Sequence, residues 1–217
     1  MRRLVFLVEG DTEIIFIEQH VIPYLYNNGF QNPMNVQKIV TNRKLHKKGG
    51  NVNYEYLKND VKRIIAQGNV IITTFLDFFR LPNSFPGYTI NSLQINNIEQ
   101  AMLADLGGYD FILPYIQRHE IEALMFSAPE GINFVIDKQR QMDEIAAVMA
   151  QYNNPEDINS TPQGAPSKRL EQIFGYDKIV DGELILAELG IDVIIEKCPR
   201  FAVWISRIEQ LLQADVN

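Results

Sequence analysis

The sequence predicts an α/β protein with a mostly parallel, Rossmann-like sheet of about four strands, flanked by helices and followed by a C-terminal helical extension. Short apolar runs alternate with amphipathic stretches of about 10–15 residues along the first half, as in a parallel sheet with helices on both faces. The second half contains mostly helical patterns. The composition, 46% hydrophobic and 22% charged, is typical of a globular protein that buries a core.

The strand candidates are short runs of branched and aromatic residues that end in polar or turn residues. They lie at 3–8, 36–41, 70–76 and 111–117. Apolar residues recur at helical spacing over 11–27, 54–66 and 95–106, and Pro23 predicts a kink in the first of these helices. Strands and helices therefore alternate throughout this part of the chain.

The pattern changes after about residue 121, where helical stretches are joined by polar segments. They lie near 121–127, 138–152, 167–174, 181–189 and 199–213, and 193–195 is the one strand candidate among them. We expect residues 1–127 to form the α/β core and residues 128–217 a helical extension that packs on the core as one structural unit. Cys198 and Trp204 of the last stretch are predicted to lie in the core.

Several classes of protein are excluded at this level. No apolar run approaches the ~18 residues of a membrane span, so no membrane partner is expected. The N-terminal apolar run is too short for a signal peptide. The single cysteine, Cys198, cannot form an internal disulfide or a thiolate metal cluster, which agrees with a reducing compartment. We therefore expect a cytoplasmic protein.

The charge distribution says more than the net charge of −7, which gives no global attraction for nucleic acid. No acidic residue occurs between Glu18 and Glu55, whereas this stretch carries five basic residues, followed by Gly49 and Gly50. These are Lys38, Arg43, Lys44, Lys47 and Lys48. The segment could neutralise the phosphates of a strand that approaches an acidic site. A solvated loop that happens to be basic is the alternative.

Acidic residues follow the predicted strands, at the edge where parallel sheets bind ligands. Glu9 follows the first strand, Asp77 the third, and Glu120 and Glu122 the fourth. Glu13 lies in the first turn of the first helix, where helix-terminus stabilisation is an alternative role. Carboxylates gathered at one edge repel each other unless a cation lies among them. Oxygen ligands without a His/Cys pattern favour Mg²⁺ or Mn²⁺.

Motifs that carry these residues resemble a Toprim-like bacterial family of unknown function and, more distantly, the Toprim nuclease domain of the Old-family nucleases. They are LVEGDTE (7–13), TTFLDFFRLPNSFPG (73–87), HEIEALMFS (119–127), APSKRL (165–170) and CPRFAVW (198–204). The resemblance implies that Glu9 is a metal ligand or general acid/base and that Asp77 is the leading aspartate of an Asp-x-Asp motif. Phe79 occupies the second position of that motif, which puts a second metal ion in doubt.

The resemblance also implies a Toprim-like fold and metal-assisted hydrolysis of DNA or RNA. Lys168 stands where it could offset charge on the phosphate, and Arg169 beside it could be a further nucleic-acid contact. Further metal ligands would be Glu13, Glu120 and Glu122. An ordinary helix start with two solvated bases is the alternative for Lys168 and Arg169. His119 is expected to be a packing or hydrogen-bonding neighbour.

Two functional interpretations remain open at the sequence level. One is a nuclease, with a separate ATPase subunit in a phage-defence system; the chain has no phosphate-binding P-loop of its own. The other is a non-catalytic module that binds nucleic acid or an ATPase partner, which the loss of the second aspartate favours. The helical half could carry an ATPase or homodimer interface.

Overall fold

Two compact units make up the chain in the computed structural model, which describes residues 1–42, 47–48, 52–79, 81–159 and 162–215. The first unit contains Met1–Ile116 and Ser206–Asn217, and the second contains Gln117–Ile205. The predicted boundary at residue 127 lies inside the second unit, and the end of the last helix belongs to the first.

The first unit is built on a parallel sheet with the strand order β2-β1-β5-β6. Its strands are β1 (Arg3–Val8), β2 (Met34–Lys38), β5 (Val70–Asp77) and β6 (Ile112–Leu113), and β7 (Ile116–Gln117) also pairs with β5. A separate antiparallel pair consists of β3 (Val40–Asn42) and β4 (Lys47–Lys48). The parallel α/β class expected from the sequence is therefore confirmed.

Helices pack against both faces of this sheet. They are α1 (Asp11–Phe16), which continues through a π-helical turn (Ile17–Val21) into α2 (Ile22–Asn27), then α3 (Tyr54–Ile65) and α4 (Ile95–Asp105). Val5 and Ile72 share one buried cluster with apolar residues of α3 and α4. On the other face, the Phe75 ring lies 5.8 Å from that of Phe16 in α1. Leu4–Val8 are fully buried because both faces are covered.

Two strands differ from the sequence prediction for identifiable reasons. The expected strand at 111–117 is divided into β6 and β7, because Pro114 has no N–H to donate to a sheet ladder. The expected strand at 36–41 is divided between β2 and β3, with the buried Ile39 between them. Near Pro23, the first helix contains a π-helical turn, which accommodates a proline that removes one helical hydrogen bond.

The second unit is helical in its described residues. Its helices are α5 (Pro129–Val135), α6 (Gln139–Met149), α7 (Pro166–Phe174), α8 (Val180–Leu189), α9 (Ile191–Lys197) and the first part of α10 (Pro199–Gln213). Ile121–Ser127 forms a 3-10 segment. The strand expected at 193–195 is wrong, since these residues lie in α9, and α5 was not predicted. Cys198 and Trp204 are buried, as expected.

No helix in the described part of the chain is long and apolar enough to cross a membrane.

The junction between β6 and β7 yields a stability prediction. The buried Thr74 hydroxyl accepts a hydrogen bond from the Tyr115 backbone N–H and donates one to the Tyr115 carbonyl, both at 2.8 Å. Replacing Thr74 with Val removes both bonds, which should lower the free energy of unfolding by about 1–3 kcal/mol in urea titrations. Thr73→Val is the matched control. The buried Thr73 hydroxyl, on the same strand, donates a hydrogen bond to the Leu113 carbonyl and does not contact the Tyr115 backbone through the two bonds described for Thr74. An equal effect of the two variants would contradict the role of Thr74.

Candidate functional site

The strand order of the sheet reverses between β1 and β5. From β1 the chain runs to β2 on one side, and it later returns to β5 on the other side and continues outward to β6. In open α/β sheets, ligands bind beyond the carboxyl ends of the strands at such a reversal, because the connecting loops diverge there and leave a crevice. This edge is the candidate functional site, and we call it the switch-point edge.

Three charged residues end the three strands that meet at the switch-point edge. Glu9 directly follows β1, Asp77 is the last residue of β5, and Lys38 is the last residue of β2. Val8 of β1 is paired with Lys38 of β2 and with Phe75 of β5. Glu9 therefore lies one residue beyond this level of the sheet, and Asp77 lies two residues beyond it. Neighbouring strands lie about 4.8 Å apart, so these three backbone positions are close together. Glu9 and Asp77 are both partly exposed.

Glu13 is held against the turn that follows β1. Its side chain is buried, and its Oε2 atom would lie 2.6 Å from a Cβ atom built on Gly10. The backbone of Gly10 is extended, so a side chain at this position would be opposed by the close approach of Glu13 and not by the backbone conformation. The local sequence Glu9-Gly10 therefore lets a carboxylate from the first helical turn pack over the end of β1.

Lys38 and Asp11 place a further charge pair at this edge. The Lys38 ammonium group forms an ion pair with the Asp11 carboxylate, whose side chain is mostly exposed. Of the other predicted nucleic-acid contacts, Lys47 and Lys48 form β4, opposite Asn42 and Val40 of β3. Arg43 and Lys44 lie outside the described residues. The basic segment therefore begins at the switch-point edge, at the end of β2.

The side chains present suit a metal ion that takes few protein ligands. Within the described ranges, no group of three His, Cys, Asp or Glu side chains could hold a metal ion. Mg²⁺ is commonly held by one or two carboxylates together with water and substrate phosphates. Glu9 and Asp77 offer two oxygen-donor side chains at neighbouring strand ends. They fit a Mg²⁺ or Mn²⁺ ion with open coordination positions, and they do not fit a closed Zn²⁺ site.

Glu120 and Glu122 lie in the second unit, where other residues of that unit bind them. Glu120 is buried and accepts hydrogen bonds from the backbone N–H of Ser167 at 3.1 Å and from its hydroxyl at 2.9 Å, at the start of α7. Glu122 is fully buried, with Lys178 Nζ 3.1 Å from its Oε1. Burial, and then the charge of Glu122, raise the pKa of Glu120 above its usual value, while Ser167 opposes this.

His119, next to Glu120, has an unusual backbone conformation. Its φ of 69° is in the left-handed region, which non-glycine residues rarely adopt. The buried ring accepts a hydrogen bond from the Asn159 side-chain amide at 3.2 Å, on Nδ1. Burial and the nearby Arg118 charge lower its pKa to about 4, so the ring is neutral at pH 7. These contacts agree with the expected role as a hydrogen-bonding neighbour.

Lys168 and Arg169 make local contacts within the second unit. Lys168 pairs with Glu171 one turn along α7, and both side chains are about half exposed. Arg169 donates a hydrogen bond to the Gly164 carbonyl at 2.8 Å, and its guanidinium lies 5.8 Å from the centre of the Tyr152 ring. Both sets of contacts favour the alternative of an ordinary helix start.

Sequence reasoning missed two partners of the acidic residues. Ala165 is the N-cap of α7, and the Ser167 side chain binds Glu120, 47 residues earlier. Lys178 carried no signal, because it lies between helices in a segment without periodicity. The i,i+3 spacing of Lys168 and Glu171, in contrast, was visible in the sequence.

The Gly10–Glu13 contact can be tested by a double-mutant cycle. Gly10→Ala should destabilise the chain by about 1 kcal/mol, the lower end for overpacking, because the new methyl group displaces only the end of the Glu13 side chain. In a Glu13→Ala background, the same substitution should cost at least about 0.5 kcal/mol less, measured by urea unfolding. Equal costs in both backgrounds would show that another neighbour opposes the methyl group.

The low pKa of His119 predicts how stability depends on pH. A pKa of about 4 in the native state, against about 6.5 in the unfolded chain, means that the unfolded state binds the proton first. Stability from this group is complete above about pH 6.5 and declines as the pH falls towards 4, by as much as about 3 kcal/mol. His119→Asn tolerates the backbone conformation and does not titrate. The melting temperature of His119→Asn should therefore fall less than that of the wild type between pH 7 and pH 4.5. Parallel plots of melting temperature against pH for the two proteins would exclude this linkage.

The comparisons with known proteins identify the family and leave the activity open. No curated protein and no solved structure matches the chain. Residues 8–209, which include the switch-point edge and all the acidic residues described above, match a single family along most of the chain. The chain therefore belongs to the family described as a domain of unknown function, DUF4276.

Proposed function

We propose that the protein is a Mg²⁺- or Mn²⁺-dependent nuclease that hydrolyses phosphodiester bonds at the switch-point edge. One observation carries the proposal: Glu9 and Asp77 end the two strands between which the strand order reverses. Side chains at that place are exposed to a ligand by the topology of the sheet. Two carboxylates there would repel a bare phosphate, so the substrate requires a cation at the same edge.

Each residue of the edge has a task in this proposal. Glu9 and Asp77 hold the cation, which when bound polarises the phosphodiester and lowers the pKa of water. Lys38 at the end of β2 attracts the phosphate backbone, with the basic segment that follows it. Glu13 packs against the turn at Gly10, next to Glu9.

The resemblance of the motifs to Toprim nucleases supports this assignment. Glu9 and Asp77 match the glutamate after the first strand and the leading aspartate after the third. Phe79 at the second aspartate position argues for one metal ion rather than two. DNA is the first substrate to test, with RNA second, since contacts to phosphate do not distinguish them. A separate ATPase subunit in phage defence remains part of the proposal.

The residues of the second unit have a smaller part in the proposed chemistry. Glu120 and Glu122 are bound by Ser167 and Lys178, and Lys168 forms an exposed pair with Glu171. We therefore assign Glu120 and Glu122 to the stability of that unit and treat Lys168 as dispensable. An additional role in binding the metal would appear as a loss of metal affinity in Glu120→Gln.

A second candidate function, a non-catalytic binding module, is favoured by two observations. Phe79 replaces a potential ligand, and the described residues contain no group of three potential metal ligands. The module would hold nucleic acid or an ATPase at the same edge, and hydrolysis would belong to the partner.

Cleavage assays separate these functions. We expect the purified protein to cleave DNA, offered both as plasmid and as single strands, with Mg²⁺ or Mn²⁺. Glu9→Gln and Asp77→Asn should lower the rate at least about 100-fold, the lower range for loss of an electrostatic catalytic group. Lys168→Ala and the exposed Glu130→Gln should retain the wild-type rate and serve as controls. Calorimetric titration of Mn²⁺ should show weaker binding in Glu9→Gln and Asp77→Asn.

Other outcomes direct the assignment elsewhere. Absence of metal binding in the wild type would refute the nuclease scheme. Metal binding without cleavage of DNA or RNA would favour the binding module. A loss of cleavage in Lys168→Ala equal to that in Asp77→Asn would return Lys168 to the active site.

A further inference from the structure

The connection between β5 and α4, which we call the edge loop (78–94), presents apolar side chains to solvent next to the switch-point edge. It begins directly after Asp77, at the carboxyl end of β5, and leads into the first turn of α4. Tyr88 is 38% exposed, Ile90 86% and Leu93 74%. Large aliphatic side chains with such exposure are costly for a monomer to leave in water when several lie within a few residues.

The base of the edge loop is anchored, so the exposed residues are presented by a fixed scaffold. Leu81 and Phe85 are buried, and the Phe85 ring lies 5.4 Å from that of Tyr54 in α3. Gly87 has a φ of 69° and packs against α4, where a Cβ atom would lie 3.1 Å from that of Ala101. The glycine is needed for both the conformation and the close approach.

Backbone hydrogen bonds extend this anchoring to the exposed residues. The Tyr88 N–H donates to the Phe85 carbonyl at 3.1 Å. The Asn91 side chain accepts a bond from the Leu93 N–H at 3.0 Å, which closes a tight turn before α4. Ile90 and Leu93 therefore project from a braced turn, and their exposure follows from the fold of the loop.

We propose that the edge loop contacts unpaired bases and that the substrate class of the switch-point edge is single-stranded nucleic acid. This inference rests on the proposed function. An extended strand whose phosphates lie at the cation and Lys38 directs its bases away from them. Tyr88 can stack on a base, and Ile90 and Leu93 can pack against base faces or insert between two bases. In a duplex these base faces are covered by stacking and pairing, so the same side chains would find only the sugar-phosphate surface.

The chemistry of the loop also favours bases over a charged peptide. Residues 81–94, which carry the three exposed apolar side chains, contain no charged residue, and Arg80 is the one charged residue of the edge loop in the sequence, so the loop has no cluster of charges for a charged partner. Stacking and apolar packing tolerate any base sequence, because every base has an apolar face. The loop should therefore confer a preference for single strands without a preference for sequence.

Binding measured with Ca²⁺ in place of Mg²⁺ tests the inference separately from the rate of cleavage, because Ca²⁺ also takes oxygen ligands. The probes are a fluorescent 20-nucleotide poly(dT) strand and a duplex of the same length, at 50 mM salt, and a gel confirms that they stay intact. We expect the wild type to bind the single strand more tightly. Tyr88→Ala, Ile90→Ser and Leu93→Ser should each weaken single-strand binding at least about fivefold, the lower range for loss of one stacked base. Duplex binding should not change.

Val203→Ser is the matched control, because Val203 is an exposed apolar residue of α10 in the second unit, 59% exposed. Its affinity for the single strand should equal that of the wild type. Wild-type affinity in all three loop variants, or equal binding of duplex and single strand, would overturn the inference. Cleavage of duplex and single strand at equal rates, lost in Asp77→Asn, would overturn it while leaving the nuclease assignment intact. Absence of binding to either probe would contradict both proposals.

Discussion

The parallel pairing of β1 with β5 is the constraint on which the rest of the first unit depends. It joins a strand from the start of the chain to one that begins about 60 residues later, and it fixes the register from Arg3–Val70 to Val8–Phe75. β1 is covered on both faces and bonded on both sides, so no ligand can reach it except at its ends. The reversal of strand order at this pair then determines which end is open, and it brings Glu9, Asp77 and Lys38 to that end together.

The buried carboxylates of the second unit differ in their surroundings from the strand-end carboxylates of the switch-point edge. Glu120 receives the backbone N–H and hydroxyl of Ser167 at the start of α7, and Glu156 receives the N–H of Arg200 at the start of α10 at 2.8 Å. Burial raises the pKa of both, so each costs free energy that its hydrogen bonds offset in part. These acids join helix starts to distant chain segments. Glu9 and Asp77, in contrast, are partly exposed at strand ends.

The sequence predicted those strands and helices whose hydrophobic pattern extends over six or more residues. Arg3–Val8 and Val70–Asp77 are dense apolar runs, and the helices at 54–65 and 95–105 have one apolar face each. Short elements were not predictable in this way. A single residue, Pro114, divides β6 from β7. Val193 and its branched neighbours lie in a helix, because tertiary packing overrides β propensity. The strand ends predicted Glu9 and Asp77 as edge residues. The Glu120–Ser167 contact was beyond reach, since it depends on how segments 47 residues apart pack.

In the proposed function, a net charge of −7 does not by itself oppose nucleic-acid binding at the switch-point edge, because electrostatic effects in salt are local. At physiological ionic strength the Debye length is about 8 Å, so a phosphate at the end of β2 would respond mainly to charges within that distance, among them Lys38 and its ion-pair partner Asp11. Because these effects are local, the charge at the edge itself decides whether its carboxylates repel the substrate. In the proposed function, a cation held by Glu9 and Asp77 would reverse the sign of the field at this edge, and the phosphate would supply the ligands that Phe79 does not. Metal and substrate should then bind cooperatively, each strengthening the affinity of the edge for the other by the same factor.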